Sequence, residues 1–141
     1  MNSFNHYAYG AVVEWMYKYM LGIVVDEEKP GFKHIILKPQ PDLRTAEELP
    51  AGQENVRWAR GEFDSVAGKI KVSWNIEESS FTYNVSIPQN TTATLYMPVF
   101  DDQAATILIN GDIMPVSDFR NENSFLVLPI VPGEYEFITM R

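Results

Sequence analysis

The first 23 residues of the chain carry more apolar surface than one small domain can cover. Within 5–23, apolar side chains recur at the three-and-four spacing of an α-helix and extend well around it, and only Glu14 and Lys18 mark a clearly charged side. A surface helix needs an apolar stripe of about 100° or slightly more, so this helix needs neighbours on several sides. We therefore predict that it is left over from a larger helical domain and that the chain is a piece of a longer protein.

The composition is that of a globular chain with a sizeable core. Of the 141 residues, 45% are hydrophobic, and the formal net charge is -8 with a pI near 4.7. This acidity disfavours nucleic acids and anionic membranes as partners. No cysteine and no metal or cofactor motif is present, so no cofactor is predicted. No apolar run is long enough to span a membrane, and 1–10 lack the pattern of a secretory signal, which leaves the location of the protein unknown.

Turn-forming residues divide the chain after the helix. Gly22 is expected to end the helix, because glycine tolerates the left-handed backbone of a helix C-terminus. A connection over 26–32 then leads to a strand over 34–38. Residues 40–55 are polar and show no sustained hydrophobic period, so they are predicted to form an irregular loop.

Beyond residue 55 the hydrophobic period falls to two. The segments 69–76 and 81–87 alternate apolar and polar side chains, as the strands of a half-buried antiparallel hairpin do. Asn110-Gly111 is the strongest hairpin signal, because both residues accept the positive φ of a type I′ turn. The predicted fold class is therefore mainly β, an antiparallel β-sandwich over 26–141 preceded by one N-terminal α-helix within 1–25. Further strands are predicted over 56–63, 92–97, 106–109, 113–116, 125–128 and 134–140.

Several segments carry the motifs of a known family. Residues 3–17 read SFNHYAYGAVVEWMY, and residues 30–39 read PGFKHIILKP. Downstream, residues 68–74 read GKIKVSW and residues 87–93 read IPQNTTA. Together these segments resemble the C-terminal end of the bacterial α-L-rhamnosidases, glycoside hydrolase family seventy-eight. The most specific parts are the Asn-His-Tyr-Ala-Tyr-Gly helix start and the Pro-Gly-aromatic-Lys-His strand entry.

The resemblance implies an architecture and an activity for the intact protein. In this family a toroid of paired helices carries catalysis and β-sandwiches flank it, which makes the present helix the last helix of the toroid. Such enzymes hydrolyse terminal α-L-rhamnosides with inversion, using two carboxyl groups about 6.5 to 9.5 Å apart. The family's catalytic glutamates lie upstream of the matched stretch, so no catalytic residue is expected here. What carries over is His6, which matches a histidine that contacts the bound rhamnose.

Each candidate residue also has a plainer interpretation. From the residues alone, His6 is a capping or partly exposed histidine, whereas the resemblance favours rhamnose binding in the intact enzyme. Glu14 lies beside Lys18 and is predicted to be an ordinary paired carboxylate. Trp74 shares a strand face with apolar residues and is predicted to belong to the core. His34 opens a strand and is predicted to be structural.

Two functional classes follow from these observations. The leading hypothesis is a structural, non-catalytic β-sandwich module of an α-L-rhamnosidase, whose intact form takes a rhamnoside as substrate. The competing hypothesis is a free-standing carbohydrate-binding module, which solvent-exposed Trp58, Tyr96 or Phe100 in a row would favour. In the chain alone, the helix lacks the neighbours that should cover it. We therefore predict a homodimer that forms through the N-terminal helix.

Overall fold

The computed structural model describes residues 16–25, 34–65, 67–100, 106–115, 117 and 119–140, and these are mainly β. A short helical segment of the π type, Met16–Met20, comes first. The strands then follow in chain order: β1 (Ile23–Val25), β2 (His34–Leu37), β3 (Trp58–Ser65), β4 (Gly68–Ile76), β5 (Ser80–Ile87), β6 (Thr92–Pro98), β7 (Thr106–Ile109), β8 (Asp112–Met114), β9 (Arg120–Glu122), β10 (Phe125–Ile130) and β11 (Gly133–Met140).

The strands form two sheets that share one hydrophobic core. The first sheet has the order β1-β2-β6-β10-β9, and the second has the order β3-β4-β5-β11-β7-β8. Among the described strands the pairings are antiparallel except that of β2 with β6, where His34 lies opposite Thr92. The chain leaves the first sheet after β2, forms β3, β4 and β5 in the second sheet, and returns as β6. This long crossover permits the parallel pairing.

The hairpin of β4 and β5 shows how the sequence builds the core. Burial alternates along both strands, because successive side chains of a strand point to opposite faces. Trp74 lies opposite Tyr83 and Val72 opposite Val85, so the apolar side chains share the inner face. Fully burying a large apolar side chain contributes about 1.5 to 3 kcal/mol. Fully buried apolar side chains from both sheets form the centre of the core: Ile35, Leu37, Ile70, Phe81, Tyr83, Leu95, Met97, Ile107, Leu126 and Phe137.

The predicted turn at Asn110-Gly111 is confirmed. Asn110 and Gly111 have φ values of 51° and 87° and join β7 to β8. The turn is also tied to β11, because the amide of Glu136 donates to Asn110 Oδ1 at 2.8 Å and the amide of Asn110 donates to the Glu136 carbonyl at 2.9 Å. The hairpin therefore has a fixed position beside the longer strands of its sheet.

The mainly β fold class is confirmed, and the structure differs from the sequence-based prediction in detail at three places. The described helical segment is π-type, with the amide of Leu21 donating to the carbonyl of Met16 at 2.9 Å, a form common at helix ends. Strand β1 was not predicted: it begins at Ile23, directly after Gly22, and Ile23 pairs with Leu37. Strand β9 was not predicted, because its three residues are all exposed and show no alternation.

Candidate functional site

The end of the helical segment is held by side chains from the second sheet. A helix leaves its last backbone carbonyls without partners inside the helix, and burying them unpaired is costly. Here Trp74 Nε1 donates to the carbonyl of Met20 at 2.6 Å, and the Tyr83 hydroxyl donates to the carbonyl of Leu21 at 2.8 Å. Both donor residues are buried. We call Trp74, Tyr83 and Gly61, the glycine of β3 that contacts Leu21, the helix-end socket.

Backbone amides after β2 complete the hydrogen bonds of the helix end. The amide of Lys38 donates to the carbonyl of Gly22 at 2.7 Å, and the amide of Gln40 donates to the carbonyl of Tyr19 at 3.1 Å. With the two side-chain bonds, the consecutive carbonyls of 19–22 each accept a hydrogen bond from outside the helical segment. Each such bond contributes about 0.5 to 1.5 kcal/mol, and a buried group left unpaired costs about 1 to 3 kcal/mol. The sandwich therefore fixes both the position and the direction of the helix end.

Two glycines allow the helix end to approach the sheets closely. Gly22 has a φ of 80°, and a Cβ at this position would meet the backbone of Lys38 and Pro39. A Cβ on Gly61 would meet the side chain of Leu21, which is itself buried. At Gly61 the Leu21 side chain would have to shift to admit a Cβ, whereas at Gly22 the obstacle is backbone. Gly22 also needs the left-handed backbone that glycine adopts without strain.

The helical segment has one packed side and one open side. Tyr17 belongs to the packed side: its hydroxyl donates to the carbonyl of Glu62 at 3.0 Å, and its ring meets the Phe63 ring edge to face with 6.0 Å between centroids. Met16 and Tyr19, by contrast, are 45% and 39% exposed. The open side therefore exposes apolar surface of Met16 and Tyr19, with Lys18 Nζ 5.4 Å from the centroid of the Tyr19 ring.

A mainly apolar cavity of about 260 Å³ lies beside the socket. Val56, which is 53% exposed, stands at this cavity together with Tyr19 of the helical segment. The cavity is large enough for an apolar side chain from a neighbouring element. Its lining residues are Tyr19, Met20, Gln40, Pro41, Asp42, Asn55, Val56 and Trp74.

The socket uses neutral donors. Burial raises the pKa of the Tyr83 hydroxyl far above its usual range, so this hydroxyl stays protonated and continues to donate to Leu21.

At the cavity, the Arg44 guanidinium donates to both carboxylate oxygens of Asp42 and holds the pKa of that carboxyl below its usual range. Within the described ranges, no group of three or more His, Cys, Asp or Glu side chains is placed to bind a metal ion.

The predicted rhamnose contact, His6, lies outside the described residues, and so does Glu14. His34 is described, and its Nδ1 and Nε2 atoms lie 2.7 and 2.9 Å from the hydroxyl oxygens of Thr92 and Thr94. These bonds join β2 to β6, as expected of a structural histidine.

No helix of the described part of the chain is long and apolar enough to cross a membrane.

The three aromatic residues named for the carbohydrate-binding hypothesis do not form a row. Trp58 belongs to β3 in the second sheet, and Tyr96 belongs to β6 in the first sheet. Phe100 packs against the core cluster. The Nζ atom of Lys38 lies 5.0 Å from the centroid of the Tyr96 ring. Of the three, Trp58 is the strongly exposed one, at 65%.

The sequence analysis placed Trp74 in the core, which is confirmed, but it missed the hydrogen bonds of the helix-end socket. A signal was present, because buried Tyr and Trp side chains usually find a partner for their polar atoms. The partners of Trp74 and Tyr83 lie 54 and 62 residues away in sequence. No local pattern identifies such distant acceptors.

Comparison with known proteins agrees with this geometry. The family model described as "Bacterial alpha-L-rhamnosidase C-terminal domain" matches residues 22–109. The chain is similar to an alpha-L-rhamnosidase from Streptomyces avermitilis, with 38% identity over 70% of this chain and 8% of that protein. It is also similar to an alpha-L-rhamnosidase from Alteromonas sp. (strain LOR), with 35% identity over 97% of this chain and 12% of that protein.

The fold is shared with a solved structure of the same class. The structure of alpha-L-rhamnosidase from Dictyoglumus thermophilum superposes on 94% of this chain and 14% of its own chain, with a TM-score of 0.78 and 20% identity. The chain thus spans a small fraction of the proteins that it matches. It belongs to the family of bacterial α-L-rhamnosidase C-terminal domains.

Proposed function

We propose that this chain is part of an α-L-rhamnosidase that hydrolyses terminal α-L-rhamnosides with inversion, and that it is a structural, non-catalytic module of that enzyme. Family membership and the similarity to α-L-rhamnosidases over nearly the whole chain support the activity of the whole protein. The observation that carries the structural role is the set of hydrogen bonds to the carbonyls of 19–22, because they hold the end of the incoming helix on the sandwich.

The proposed domains are the last helix of a helical toroid within 1–25 and the C-terminal β-sandwich over 26–141. Pairing of Ile23–Val25 with β2, directly after the helical segment, supports a short connection between them. Inverting glycosidases need two carboxyl groups about 6.5 to 9.5 Å apart with a water between one of them and the sugar. A misplacement of about 1 Å can cost on the order of 10²-fold in rate. A sandwich that fixes one toroid helix would therefore support catalysis without taking part in it.

Activity of the isolated chain tests the non-catalytic role. We expect no turnover of 4-nitrophenyl α-L-rhamnopyranoside, because the proposed acid and base lie elsewhere in the enzyme and general acid-base catalysis contributes about 10² to 10⁴ for each group. Purified chain and its Glu14→Gln variant are compared with buffer. Turnover that copurifies with the chain and disappears in Glu14→Gln would overturn the proposal.

Hydrogen exchange in a full-length enzyme that contains this module tests the bracing role. The double variant Trp74→Phe, Tyr83→Phe removes both side-chain donors to the helix end, so the amides of 16–22 should exchange faster and kcat/KM should fall. Tyr135→Phe is the matched control, because its hydroxyl donates to the carbonyl of Val131 at 2.9 Å, away from the socket. Equal exchange and equal kcat/KM in the double variant and the control would refute the bracing role.

We also propose that the isolated chain forms a homodimer through its N-terminal helix. The exposed Met16 and Tyr19 support this, since both present apolar surface on the open side of the helical segment. Light scattering at micromolar concentration should report a dimer that Tyr19→Glu weakens. Ile113→Glu is the control, because Ile113 is a 72% exposed apolar residue on β8. Two outcomes would contradict this assignment. One is a monomer for the unsubstituted chain, and the other is a dimer that Ile113→Glu disrupts and Tyr19→Glu does not.

A further inference from the structure

The outer face of the second sheet carries a trough of polar side chains. Two rows of residues run across β3, β4, β5 and β11 on this face. One row is Arg60, Ser73, Asn84 and Glu136, and the neighbouring row is Glu62, Lys71, Ser86 and Glu134. A cavity of about 750 Å³ lies over them and also reaches Asn110 of the β7–β8 turn.

On the floor of the trough, short side chains of β4 and β5 lie between longer ones on β3 and β11, and the exposed Lys71 of β4 stands among them. Ser73, Asn84 and Ser86 on the two central strands are half-buried, whereas Arg60 on β3 and Glu136 on β11 are exposed. Neighbouring strands of a sheet lie about 4.8 Å apart, so the floor spans the width of two strands. The result is an open channel lined by hydroxyl and amide groups and by the Lys71 side chain.

Charges of both signs stand along this channel without pairing to each other. On this face Lys69 takes the ion pairs, at 3.1 Å from Glu62 and 3.9 Å from Asp64. Within the described residues, Arg60 and Glu136 have no ion-pair partner, and the same is true of their neighbours Lys71 and Glu134. A guanidinium on one wall and carboxylates on the other therefore remain available to hydrogen-bond a ligand.

An exposed tryptophan stands on the same face as the trough. Trp58 is 65% exposed and lies two residues before Arg60 on β3, so their side chains share one face about 7 Å apart. Tyr96, the comparable aromatic on the first sheet, has Lys38 Nζ at 5.0 Å from its ring centroid. Trp58 thus offers a free apolar surface beside a channel of hydroxyl, amide and carboxylate groups.

We propose that this trough binds a neutral oligosaccharide. One sugar ring stacks on Trp58, and the adjoining sugar units are hydrogen-bonded by Arg60, Ser73, Asn84 and Glu136. Sugars present both an apolar ring face and a dense set of hydroxyl donors and acceptors, and the trough offers a partner for each. A polyanionic glycan fits poorly, because two glutamates line one wall and the whole chain has a net charge of -8. The site is separate from the bracing role, since the socket side chains point into the core.

Binding of a short neutral α-L-rhamno-oligosaccharide to the full chain tests the site. In amide NMR spectra, titration should shift the resonances of the trough and the indole signal of Trp58. Trp58→Ala and Glu136→Ala should each raise the dissociation constant, by about tenfold for the tryptophan. Ile113→Ala is the matched control, because Ile113 is an exposed apolar residue on an edge strand of the same sheet, and it should leave binding unchanged.

Three results would overturn the assignment. One is the absence of shifts at the trough with saturating oligosaccharide. Another is binding that neither Trp58→Ala nor Glu136→Ala weakens. The third is tighter binding of polygalacturonate than of the neutral probe. These measurements use the chain without the catalytic domain of the proposed enzyme. They therefore do not depend on whether the helix-end socket braces that domain.

Discussion

Tyr83 and Leu21 are joined by a fully buried hydrogen bond, in which the Tyr83 hydroxyl donates to the Leu21 carbonyl at 2.8 Å. Leu21 follows the helical segment, and Tyr83 is in the middle of β5. The bond therefore couples the helix to a central strand of the second sheet. It also satisfies a buried helix-end carbonyl that has no partner within the helix.

Tyr83→Phe should lower the stability of the chain. The change removes one hydroxyl and leaves a buried carbonyl unpaired, which costs about 1 to 3 kcal/mol. Urea unfolding measures the loss. Tyr135→Phe is the control, because the hydroxyl of Tyr135 forms an exposed bond to Val131, and it should cost less. If the two variants have equal free energies of unfolding, the buried bond to Leu21 contributes no more stability than the exposed bond of Tyr135.

The chain should lose stability in alkali through Tyr83. Burial raises the pKa of the Tyr83 hydroxyl in the folded state, while an exposed tyrosine in the unfolded chain ionises near pH 10. The unfolded state therefore releases its proton first as the pH rises, so the contribution is complete below about pH 10 and declines above it. Melting temperatures from pH 8 to 11 should fall less steeply in Tyr83→Phe than in the parent or Tyr135→Phe. Parallel curves would exclude this role for Tyr83.

Gly22→Ala should be far more costly than Gly52→Ala. Both glycines have nearly the same left-handed backbone, with φ values of 80° and 82°, which costs an alanine about 1 to 2 kcal/mol. A Cβ at Gly22 would meet the backbone of Lys38 and Pro39, whereas nothing lies within 4 Å of a Cβ at Gly52. The difference between the two unfolding free energies isolates the steric cost of the close approach. If the two variants are equally stable, the backbone can relax around Gly22.

Two buried threonines should respond in opposite ways to valine, which has nearly the same shape. The Thr139 hydroxyl donates to the carbonyl of Pro98 at 3.0 Å, and Thr139→Val should destabilise the chain by about 1 kcal/mol or more. Thr91 Oγ1 is buried without a hydrogen-bond partner among the described residues. Thr91→Val should therefore be neutral or stabilising in thermal unfolding. A large loss at Thr91 would indicate a bound water at its hydroxyl.

His6→Ala in a full-length enzyme that contains this sequence should reduce activity rather than stability. If a ring nitrogen hydrogen-bonds a rhamnose hydroxyl, the change should cost on the order of 1 to 3 kcal/mol in kcat/KM. The melting temperature should remain nearly unchanged. His34→Ala is the comparison, because His34 contacts Thr92 and Thr94 within the first sheet and should affect stability instead. A stability loss with normal kinetics in His6→Ala would assign His6 to packing.

Local patterns in the sequence predicted much of the sandwich. The alternation over 69–76 and 81–87 predicted the β4–β5 hairpin, because a strand with one buried face must alternate. Asn110-Gly111 predicted its turn, since few residue pairs accept two positive φ values. Gly22 was predicted to end the helix, and it has the positive φ of a helix C-terminus. Each of these features depends on neighbours in the sequence.

The candidate sites were harder to predict. Trp74 was placed in the core by its strand face, but its role as a donor to Met20 depends on a residue 54 positions away. Trp58 was singled out as an aromatic, yet the polar trough beside it brings together residues from β3, β4, β5 and β11. The register of four strands sets that arrangement, and no single segment encodes it.

The sequence by itself determined the class of the fold, the tight turn at Asn110-Gly111 and the family to which the chain is related. The hydrophobic period, the turn-forming residue pairs and the short motifs are properties of residues close together in the sequence, so they can be recognised without a structure. Only the tertiary structure decided that β2 pairs with β6 in parallel and that Trp74 and Tyr83 hold the helix end. Buried polar atoms need hydrogen-bond partners, and the packing of the two sheets around one core decides which donors and acceptors lie side by side. That packing depends on the whole chain.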